Sequence, residues 1–300
     1  IPPDSCDTID NDCNGVADDD FVVDGKYVTA KHCRQCGNDC TFLIYPNASG
    51  ECDGSLEEPE CFMACYPGYV DVNGNPVDGC ECKKVDESDL PDADCADPPD
   101  CTSSAKDQNC DGVDGEVDNA VFVAKNGSDD NPGTMAQPLL SIQAGISKAE
   151  SEGKRDVYVA TGLYNGSVVL KNAIGVYGGY SSDFLQRSTL LYESVIVGGP
   201  FSASLPGAVT AVDIFGPVGT TVLDGFTVIA GNNNQPGGSS YAVYLDNCSA
   251  MLEITNNNII AGNGGNGQGG TAGADGPDGE NGGAGVDALY YIQSPCTAPS

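Results

Sequence analysis

The crowding of cysteines at one end of the chain constrains the fold more than any other feature of the sequence. Thirteen of the 15 cysteines lie between Cys6 and Cys110, and only Cys248 and Cys296 follow. A reducing cytosol would keep such a cluster as thiols, so it indicates either a bound metal or an oxidising compartment. Zinc fits poorly, because His32 is the only histidine and the short cysteine pairs do not form two matched knuckles. We therefore predict disulfides, with a connectivity that the spacing leaves open and, since the total is odd, one cysteine unpaired within the chain.

The chain is strongly acidic, and the charge is unevenly distributed. It has 44 Asp and Glu against 12 Lys and Arg, and 29 of the acidic residues fall within residues 1–119. A field of this sign repels nucleic acid and anionic membranes and attracts cations. We expect neither nucleic-acid binding nor membrane insertion, because no apolar run has membrane-spanning length. Composition does not distinguish cation binding from simple solubility, so the spacing of the acidic residues has to decide.

The stretch CDTIDNDCNGVADDD, residues 6–20, has the spacing of a calcium-binding loop. Calcium takes six to eight oxygen ligands, and alternate side chains of a loop converge on one ion when a glycine, here Gly15, makes the turn. Phe21 stands where an EF-hand has a bidentate glutamate, so a neighbouring aspartate or water would complete the ligand shell. The predicted ligands of this loop are Asp10, Asp12, Asn14, the carbonyl of Val16, Asp18 and Asp19.

Two further stretches repeat parts of this pattern. In DQNCDGVDGEVD the predicted ligands are Asp107, Asn109, Asp111, the carbonyl of Val113, Glu116 and Asp118. A third, less complete candidate has Pro76 in place of the turn glycine and comprises Asp71, Asn73, Asn75 and Asp78. The alternative is that these residues form Asx-turns, in which carboxylates accept hydrogen bonds from backbone amides. We favour metal because so many carboxylates in a dozen residues repel one another without a cation.

The same residues carry a resemblance to known bacterial sequences. The first loop resembles the metal-binding MopE-type repeat, written roughly C-D-x-x-D-N-D-C-D-G, and departs from it at Asn14. Residues 33–82 resemble a cysteine-rich module common beside those repeats, and residues 86–115 resemble the acidic linker that precedes β-helices in the same proteins. The resemblance implies a secreted or outer-surface bacterial protein with Ca²⁺ as its cofactor.

After Asn119 the pattern changes to one helix followed by short strands. Ile142, Ile146 and Ala149 share one helical face, with Ser141 as N-cap and Gly153 at the end. The strands include VYVA, SVVL, IGVYGGY, SVIVGG, TVIAG, YAVYLDN, LEIT and ALYYI, and each ends in Gly, Asn or Asp turn residues. This pattern predicts β-helix coils of about 20 to 25 residues, about six in number, with the helix as a plug over the first coil.

The order of strand, GSDDNPGT turn, helix and VYVATGLY resembles the entry segment of right-handed parallel β-helices of the pectin-lyase-like superfamily. The fold class that follows is mainly β: a right-handed parallel β-helix with an N-terminal helix cap, preceded by disulfide-rich calcium-loop modules with little regular secondary structure. The β-helix is expected to be C-terminally incomplete. The predicted domains are a calcium loop at 1–22, a cysteine-rich module at 23–85, an acidic linker with the second loop at 86–119, and the β-helix at 120–300, with a glycine-rich loop at 263–285.

Three functions compete at this level. The first, which we favour, is a non-catalytic structural or adhesive protein of the cell surface or of filaments, stiffened by calcium, whose partners are calcium and copies of itself. The second is a carbohydrate-binding rod that stacks sugars on tyrosines. The candidate tyrosines are Tyr177, Tyr180, Tyr241 and Tyr244.

The third function is polysaccharide degradation. A lyase needs a base, for which the β-helix offers Lys171 and Arg187, and a hydrolase needs paired carboxylates. Candidate carboxylates are Asp213, Asp224 and Asp246, although Asp224 also reads as a turn residue. Because nothing in the sequence places these groups on one face, enzymatic activity is the least favoured of the three.

Overall fold

A computed structural model of the protein describes residues 3–91, 107–199, 206–216 and 219–285. The protein is mainly β, with a disulfide-rich N-terminal part and a parallel β-solenoid of about four turns. A single α-helix is present in the described ranges. The predicted acidic linker is described at residues 86–91 and 107–119 only, and the predicted strand ALYYI lies outside the described residues.

The N-terminal part consists of short antiparallel strands joined by turns. The first sheet contains β1 (Val22–Val23), β2 (Lys26–Thr29) and β3 (His32–Cys33). A 3-10 helix (Cys40–Phe42) leads into the second sheet, which contains β4 (Ile44–Tyr45), β5 (Ala48–Asp53) and β6 (Glu60–Cys65). A two-stranded sheet contains β7 (Tyr69–Val70) and β8 (Cys82–Lys83).

Among the described residues of this part, five disulfides take the place of an apolar core, which confirms the prediction from cysteine content. They are Cys6–Cys36, Cys33–Cys52, Cys40–Cys61, Cys65–Cys80 and Cys82–Cys110. Cysteines that are neighbours in the sequence thus pair with different partners. A sulfur in a disulfide is not a thiolate, so these cysteines are not zinc ligands. Cys13 and Cys248 form no disulfide among the described residues. This number of disulfides indicates a protein of a non-cytosolic compartment.

The solenoid is built from three parallel sheets. It contains β9 (Ala120–Val123), α1 (Ile142–Glu152), β10 (Asp156–Ala160), β11 (Gly162–Asn165), β12 (Val168–Val169), β13 (Gly175–Tyr180), β14 (Ser194–Val197), β15 (Gly207–Val212), β16 (Thr221–Asp224), β17 (Phe226–Ile229), β18 (Tyr241–Asp246), β19 (Leu252–Thr255) and β20 (Asn258–Ile260). The spatial orders are β9-β10-β13-β16-β19, β11-β14-β17-β20 and β12-β15-β18.

The coils vary in length more than predicted. Asp156 of β10 pairs with Gly175 of β13, 19 residues on, whereas Gly175 pairs with Val222 of β16, 47 residues on. The two coils from β11 to β14 and from β14 to β17 take 32 residues each. The expected uniform coil of 20 to 25 residues is therefore wrong, and the described residues form about four turns rather than six. The reason is that turns of very different length join the strands, and the spacing of single strands in the sequence does not show which of them stack.

The helix caps the first coil, as predicted. Its buried residues Ile142, Ile146 and Ala149 belong to the same apolar core as Val121 and Val157 of β9 and β10. The serine hydroxyl oxygen of Ser141 accepts a hydrogen bond from the amide of Ala144 at 3.3 Å, and Gly153 ends the helix with φ of 68°. The start, the end and the buried face of α1 are thus confirmed.

We expect Ser141→Ala to lower the free energy of unfolding by about 1 kcal/mol, because the first turn of α1 loses its side-chain cap. Asp129 also accepts a hydrogen bond from this hydroxyl, at 2.8 Å. Denaturant titration of the purified chain measures the change. Ser147→Ala, on the exposed part of the same helix, is the control, and an equal effect of both substitutions would refute the capping role.

Candidate cation-binding loops

The first predicted loop folds its alternate side chains over its own backbone. The Asp10 carboxylate accepts hydrogen bonds from the amides of Asn14, at 3.1 Å, and Gly15, at 2.8 Å. Asp12 accepts from the Asn14 amide at 2.9 Å, and the Asn14 side-chain oxygen accepts from the amide of Val16 at 2.9 Å. The aspartates and the asparagine of the motif therefore form a continuous series of Asx-turns.

The second loop repeats this arrangement position by position. The Asp107 carboxylate accepts from the amides of Asp111, at 2.9 Å, and Gly112, at 2.8 Å. Asn109 accepts from the Asp111 amide at 2.9 Å, and Asp111 accepts from the Val113 amide at 3.2 Å. The two stretches, far apart in the chain, thus fold into one type of loop.

The backbone angles agree as well as the hydrogen bonds. The turn glycines Gly15 and Gly112 have φ of 98° and 97°, and Cys13 and Cys110, three residues after the first aspartate of each loop, both have φ of 59°. Positive φ is costly for residues other than glycine, so two matching outliers indicate a conformation that the motif itself imposes.

The third candidate, residues 71–78, folds differently. Asp71 accepts from the amide of Gly74 at 2.7 Å, so the hydrogen bond closes three residues on. In the other loops the first aspartate reaches amides four and five residues on, and here the fifth residue is Pro76, which has no N–H to donate. Asn73 donates to Asp78 at 2.9 Å, and the amide of Val77 donates to the side chain of Asn75 at 3.3 Å. The proline thus explains why the third stretch lacks the shared loop conformation.

The structure adds a carboxylate that sequence reasoning missed. Oxygens of Asp4, Asp12 and Asp19 lie within 4.8 Å of one another, which groups two predicted ligands with one unpredicted residue. Asp4 is buried, and its carboxylate accepts from the amides of Asn11, at 2.8 Å, and Asp12, at 3.1 Å. Asp4 lies six residues before the first aspartate of the motif, and the spacing of the motif does not predict it as a ligand. Its position depends on how the chain folds back over the loop.

An aspartate plays a related part at the second loop. Asp89 is buried and accepts from the amides of Gln108 and Gly115, both at 3.1 Å. Gln108 occupies the position in the second loop that Asn11 occupies in the first. Each loop is therefore held from outside by one buried aspartate that lies earlier in the chain.

Asp18 and Asp19 have different surroundings. Asp18 is buried, accepts from the amides of Asp7 and Thr8 at 3.1 and 3.0 Å, and accepts from the hydroxyl of Tyr27 in β2. The Tyr27 hydrogen bond holds the pKa of Asp18 below its usual value. Asp18 thus ties the loop to the first sheet and does not belong to the three-carboxylate group, whereas Asp19 belongs to it.

The crowding of carboxylates affects their protonation. Burial raises the pKa of Asp12, and the nearby carboxylates of Asp10, Asp4 and Asp19 raise it further, against a hydrogen bond from the Asn14 amide. Burial likewise raises the pKa of Asp107, and Asp111 adds to this, against hydrogen bonds from the loop amides. In both loops the charged form of an aspartate is therefore disfavoured, a situation that a bound cation reverses.

The second loop bridges the two parts of the protein. Cys110 joins it to Cys82 of β8, and Val113 is fully buried in a cluster with aromatic residues on the outer face of the solenoid. Tyr180 donates a hydrogen bond to the carbonyl of Asp114 at 2.6 Å, and the amide of Glu116 donates to the Tyr158 hydroxyl at 2.9 Å.

The last two predicted ligands of this loop lie apart from its Asx-turns. The Glu116 carboxylate lies 3.8 Å from the Arg155 guanidinium and accepts from Asn119. Asp118 is exposed, in a 3-10 helix over Val117–Asn119. The structure therefore gathers Asp107, Asn109 and Asp111, and directs Glu116 towards the solenoid.

The structure places the candidate sugar-stacking and catalytic residues of the solenoid in different environments. Tyr177 and Tyr180 are buried beneath the second loop and offer no stacking surface, whereas Tyr241 is exposed and lies 5.6 Å from Tyr244, ring to ring. The side chain of Arg187 is fully buried against Asp224, and Lys171 pairs with Glu150 at 3.2 Å.

An open cleft of about 670 Å³ lies beside the glycine-rich segment and has no acidic or basic side chain in its lining, which consists of Asn233, Asn234, Pro236, Gly264, Gly265, Asn266, Gly267, Gln268 and Gly269. A general acid or base is therefore missing from this cleft.

Within the described ranges, the one α-helix is too short and too polar to cross a bilayer. Comparison of the chain with protein-family models, with curated proteins and with solved structures found no match.

Proposed function

We propose that this protein is a secreted, calcium-stabilised structural or adhesive element of a bacterial cell surface, without catalysis, in which Ca²⁺ stiffens the junction between a disulfide-rich module and a β-solenoid. The resemblance to MopE-type repeats and to pectin-lyase-like β-helices supports this assignment. The disulfides agree with an oxidising compartment.

Calcium is the cation that the donors favour. The aspartates and asparagines that converge in both loops offer carboxylate and amide oxygens, which are hard ligands of the kind that Ca²⁺ prefers over transition metals. In the first loop the ligands would come from Asp4, Asp12 and Asp19 together with Asp10. In the second they would come from Asp107, Asn109 and Asp111.

The observation that carries the proposal is the position of the second loop. One end of it is bound covalently to the disulfide module through Cys82–Cys110, and its other end packs on Tyr158 and Tyr180 of the solenoid. An ion that orders this loop would therefore order the connection between the two parts. This is the role expected of a stalk that has to transmit force.

Thermal melting in 2 mM CaCl₂ and in EGTA tests the proposal. We expect calcium to stabilise the folded chain by about 1–2 kcal/mol, if the loops bind with the millimolar to submillimolar affinity of extracellular calcium modules. Equal melting temperatures in the two buffers, together with no heat of binding in calorimetry, would contradict the proposal.

Matched variants locate the effect. Asp107→Asn removes one charge from the second loop, whereas Asp130→Asn removes one charge from an exposed position outside the loops. We expect the first variant to lose about half of the calcium-dependent stabilisation and the second to keep all of it. Limited proteolysis between residues 86 and 119 reports on the junction directly, and cleavage in the native chain should be slower in calcium than in EGTA.

One observation favours carbohydrate binding as a second candidate. Tyr241 and Tyr244 form an edge-to-face pair on the outer side of the solenoid, and Tyr241 is 41% exposed. Tyrosine rings at a wet surface suit stacking against sugars. Binding of oligouronides or neutral glycans to the native chain, abolished by Tyr241→Ala, would support this candidate, and products released from those glycans would instead indicate an enzyme.

A further inference from the structure

The sheet of β4, β5 and β6 has one face towards the disulfides and one exposed face. Glu51 lies directly opposite Phe62, and side chains in such a pair share a face of the sheet. Cys52 and Cys61, one position on, form the next pair, so they point to the other face, where each forms a disulfide. The residues of the exposed face are Ile44, Ser49, Glu51, Asp53, Glu60, Phe62 and Ala64.

Large apolar side chains lie on this exposed face and beside it. Ile44 is 93% exposed and Phe62 is 46% exposed. Phe42, in the 3-10 helix that leads into β4, is 81% exposed. Monomeric soluble proteins rarely expose extended apolar patches, and a patch of this kind rimmed by polar residues is typical of an interaction site. The exposed face is therefore a candidate docking surface.

The edge of the sheet next to this face is open. In the described ranges β6 is the last strand of its sheet and pairs with β5 only. The amide of Tyr66 donates to the carbonyl of Asn47 at 2.9 Å, which extends the antiparallel ladder beyond the ends of β5 and β6. Because hydrogen-bonded and non-hydrogen-bonded pairs alternate along such a ladder, every second residue of β6 directs its N–H and C=O groups away from β5. These residues are Cys61, Met63 and Cys65.

The sequence of β6 does not protect this open edge. Edge strands are commonly blocked by lysine, by proline or by a β-bulge. β6 reads ECFMAC, without lysine or proline, and its register with β5 continues without a bulge over all six residues. Its outward N–H and C=O groups therefore offer a template for one more strand, as in β-augmentation.

The charge around the edge favours a basic occupant. Asp53 lies directly opposite Glu60, and like charges in such a pair repel each other. Residues 51–60 contain five carboxylates and no lysine or arginine, and of these carboxylates Glu58 has an arginine partner, Arg34. A strand that places a lysine or arginine beside Glu60 would relieve the repulsion. A second copy of this chain, with a formal net charge of −32, would instead be repelled.

We propose that the outer edge of β6 binds an extended segment of another protein, rich in basic and β-branched apolar residues, as a fourth strand of this sheet. The backbone groups of Cys61, Met63 and Cys65 exchange hydrogen bonds with this segment. On the exposed face, one of its apolar side chains packs against Phe62 and a basic side chain two residues away pairs with Glu60. The site lies outside the cation-binding loops, so it adds a protein partner and does not depend on bound calcium.

Titration of labelled peptides into the native chain tests the chemistry of the occupant. The probe peptide KTVTKTV places lysine and valine alternately on one side of a strand, and the control peptide ETVTETV carries the opposite charge. In EGTA, fluorescence anisotropy should show saturable binding of the lysine peptide, about tenfold or more tighter than that of the glutamate peptide. Equal affinities for the two peptides, or binding of neither, would overturn the proposal.

Charge reversal at the edge locates the binding without relying on a loss of folding. In Glu60→Lys we expect the ratio of the two peptide affinities to fall by about tenfold, because the basic side chain loses its partner. Asp130→Lys makes the same change of charge at an exposed position of the solenoid and should keep the original ratio. The same ratio in both variants would mean that the peptide binds elsewhere, against the proposal.

Hydrogen exchange measured by NMR tests the strand itself. Saturating lysine peptide should slow the exchange of the amides of Cys61, Met63 and Cys65 by about tenfold or more, whereas the amides of Phe62 and Ala64, which face β5, should keep their rates. Unchanged rates at the three outward amides would rule out strand addition even if the peptide binds. Slow exchange of these amides in the chain alone, together with a dimer in sedimentation equilibrium, would assign the edge to a second copy and contradict the proposal as well.

Discussion

Replacing Arg187 with methionine is expected to lower the free energy of unfolding of the solenoid by about 3–5 kcal/mol, because Asp224 would remain buried without its charged partner. The Arg187 side chain is fully buried, and its guanidinium contacts Asp224 and donates from Nε to the carbonyl of Gly178 at 3.0 Å. It also lies 5.5 Å from the ring centroid of Tyr177 and 5.6 Å from that of Tyr180.

The partner carboxylate links this arginine to the following coil. Asp224, at the end of β16, accepts hydrogen bonds from the hydroxyl of Thr255 at 2.7 Å and the side-chain amide of Asn256 at 2.6 Å. One ion pair therefore connects the segment after β13 with two later coils. Loss of the arginine would weaken all of these contacts at once.

Urea denaturation of the single and double variants measures the effect. In the double variant Arg187→Met with Asp224→Asn, part of the lost stability should return, since no uncompensated charge remains buried. Lys171→Met serves as the control, because the Lys171–Glu150 pair is exposed and such pairs contribute little. A loss below about 1 kcal/mol for Arg187→Met would show that the buried pair is not what joins the coils.

The second large effect is expected for Gly115→Ala in the loop that bridges the two parts. Gly115 has φ of 124°, and a Cβ atom at this position would overlap the hydroxyl of Tyr158. We expect a loss of about 3 kcal/mol or more in the free energy of unfolding, from backbone strain together with displacement of the loop from the solenoid. The hydrogen bond from the Glu116 amide to Tyr158 would be lost as well.

Gly112→Ala is the matched control in the same loop. Gly112 also has positive φ, at 97°, but its nearest neighbour is Val72 Cγ1 at 3.4 Å, so an added methyl group meets no overlap. The difference in unfolding free energy between the two variants isolates the contact with Tyr158. Equal losses would mean that the packing of the loop on the solenoid contributes nothing beyond backbone strain.

The local features of this protein were readable from its residues. The ends and the buried face of α1 follow from Ser141, Gly153 and the helical spacing of its apolar residues. The disulfides follow from cysteine density, and the likeness of the first two loops follows from their shared D-x-[DN]-x-[DN]-G spacing. Asn256, directly after β19, has a left-handed backbone with φ of 52°, a conformation that asparagine tolerates better than most residues. Each of these depends on a residue's own backbone preference or on neighbours a few positions away.

The contacts that assemble the protein were not readable in this way. Asp4 and Asp89 hold the two loops from positions well outside the motifs, and Arg187 meets Asp224 from 37 residues away. Nothing in the sequence around Tyr158 and Tyr180 distinguishes a tyrosine that a loop covers from a tyrosine that is exposed for stacking. Such contacts depend on the register of the coils, and that register is set by the length and path of every turn between strands.

The chain by itself therefore determines the kinds of elements, the disulfide-rich character of the N-terminal part and the two matching loops, because these arise from local spacing and chemistry. Only the tertiary structure decides that the coils of the first sheet range from 19 to 47 residues, that the second loop lies between the disulfide module and the solenoid, and that Arg187 is enclosed rather than exposed. Stacking of coils brings distant residues together, and the free energy of that stacking is a property of the whole solenoid rather than of any one strand.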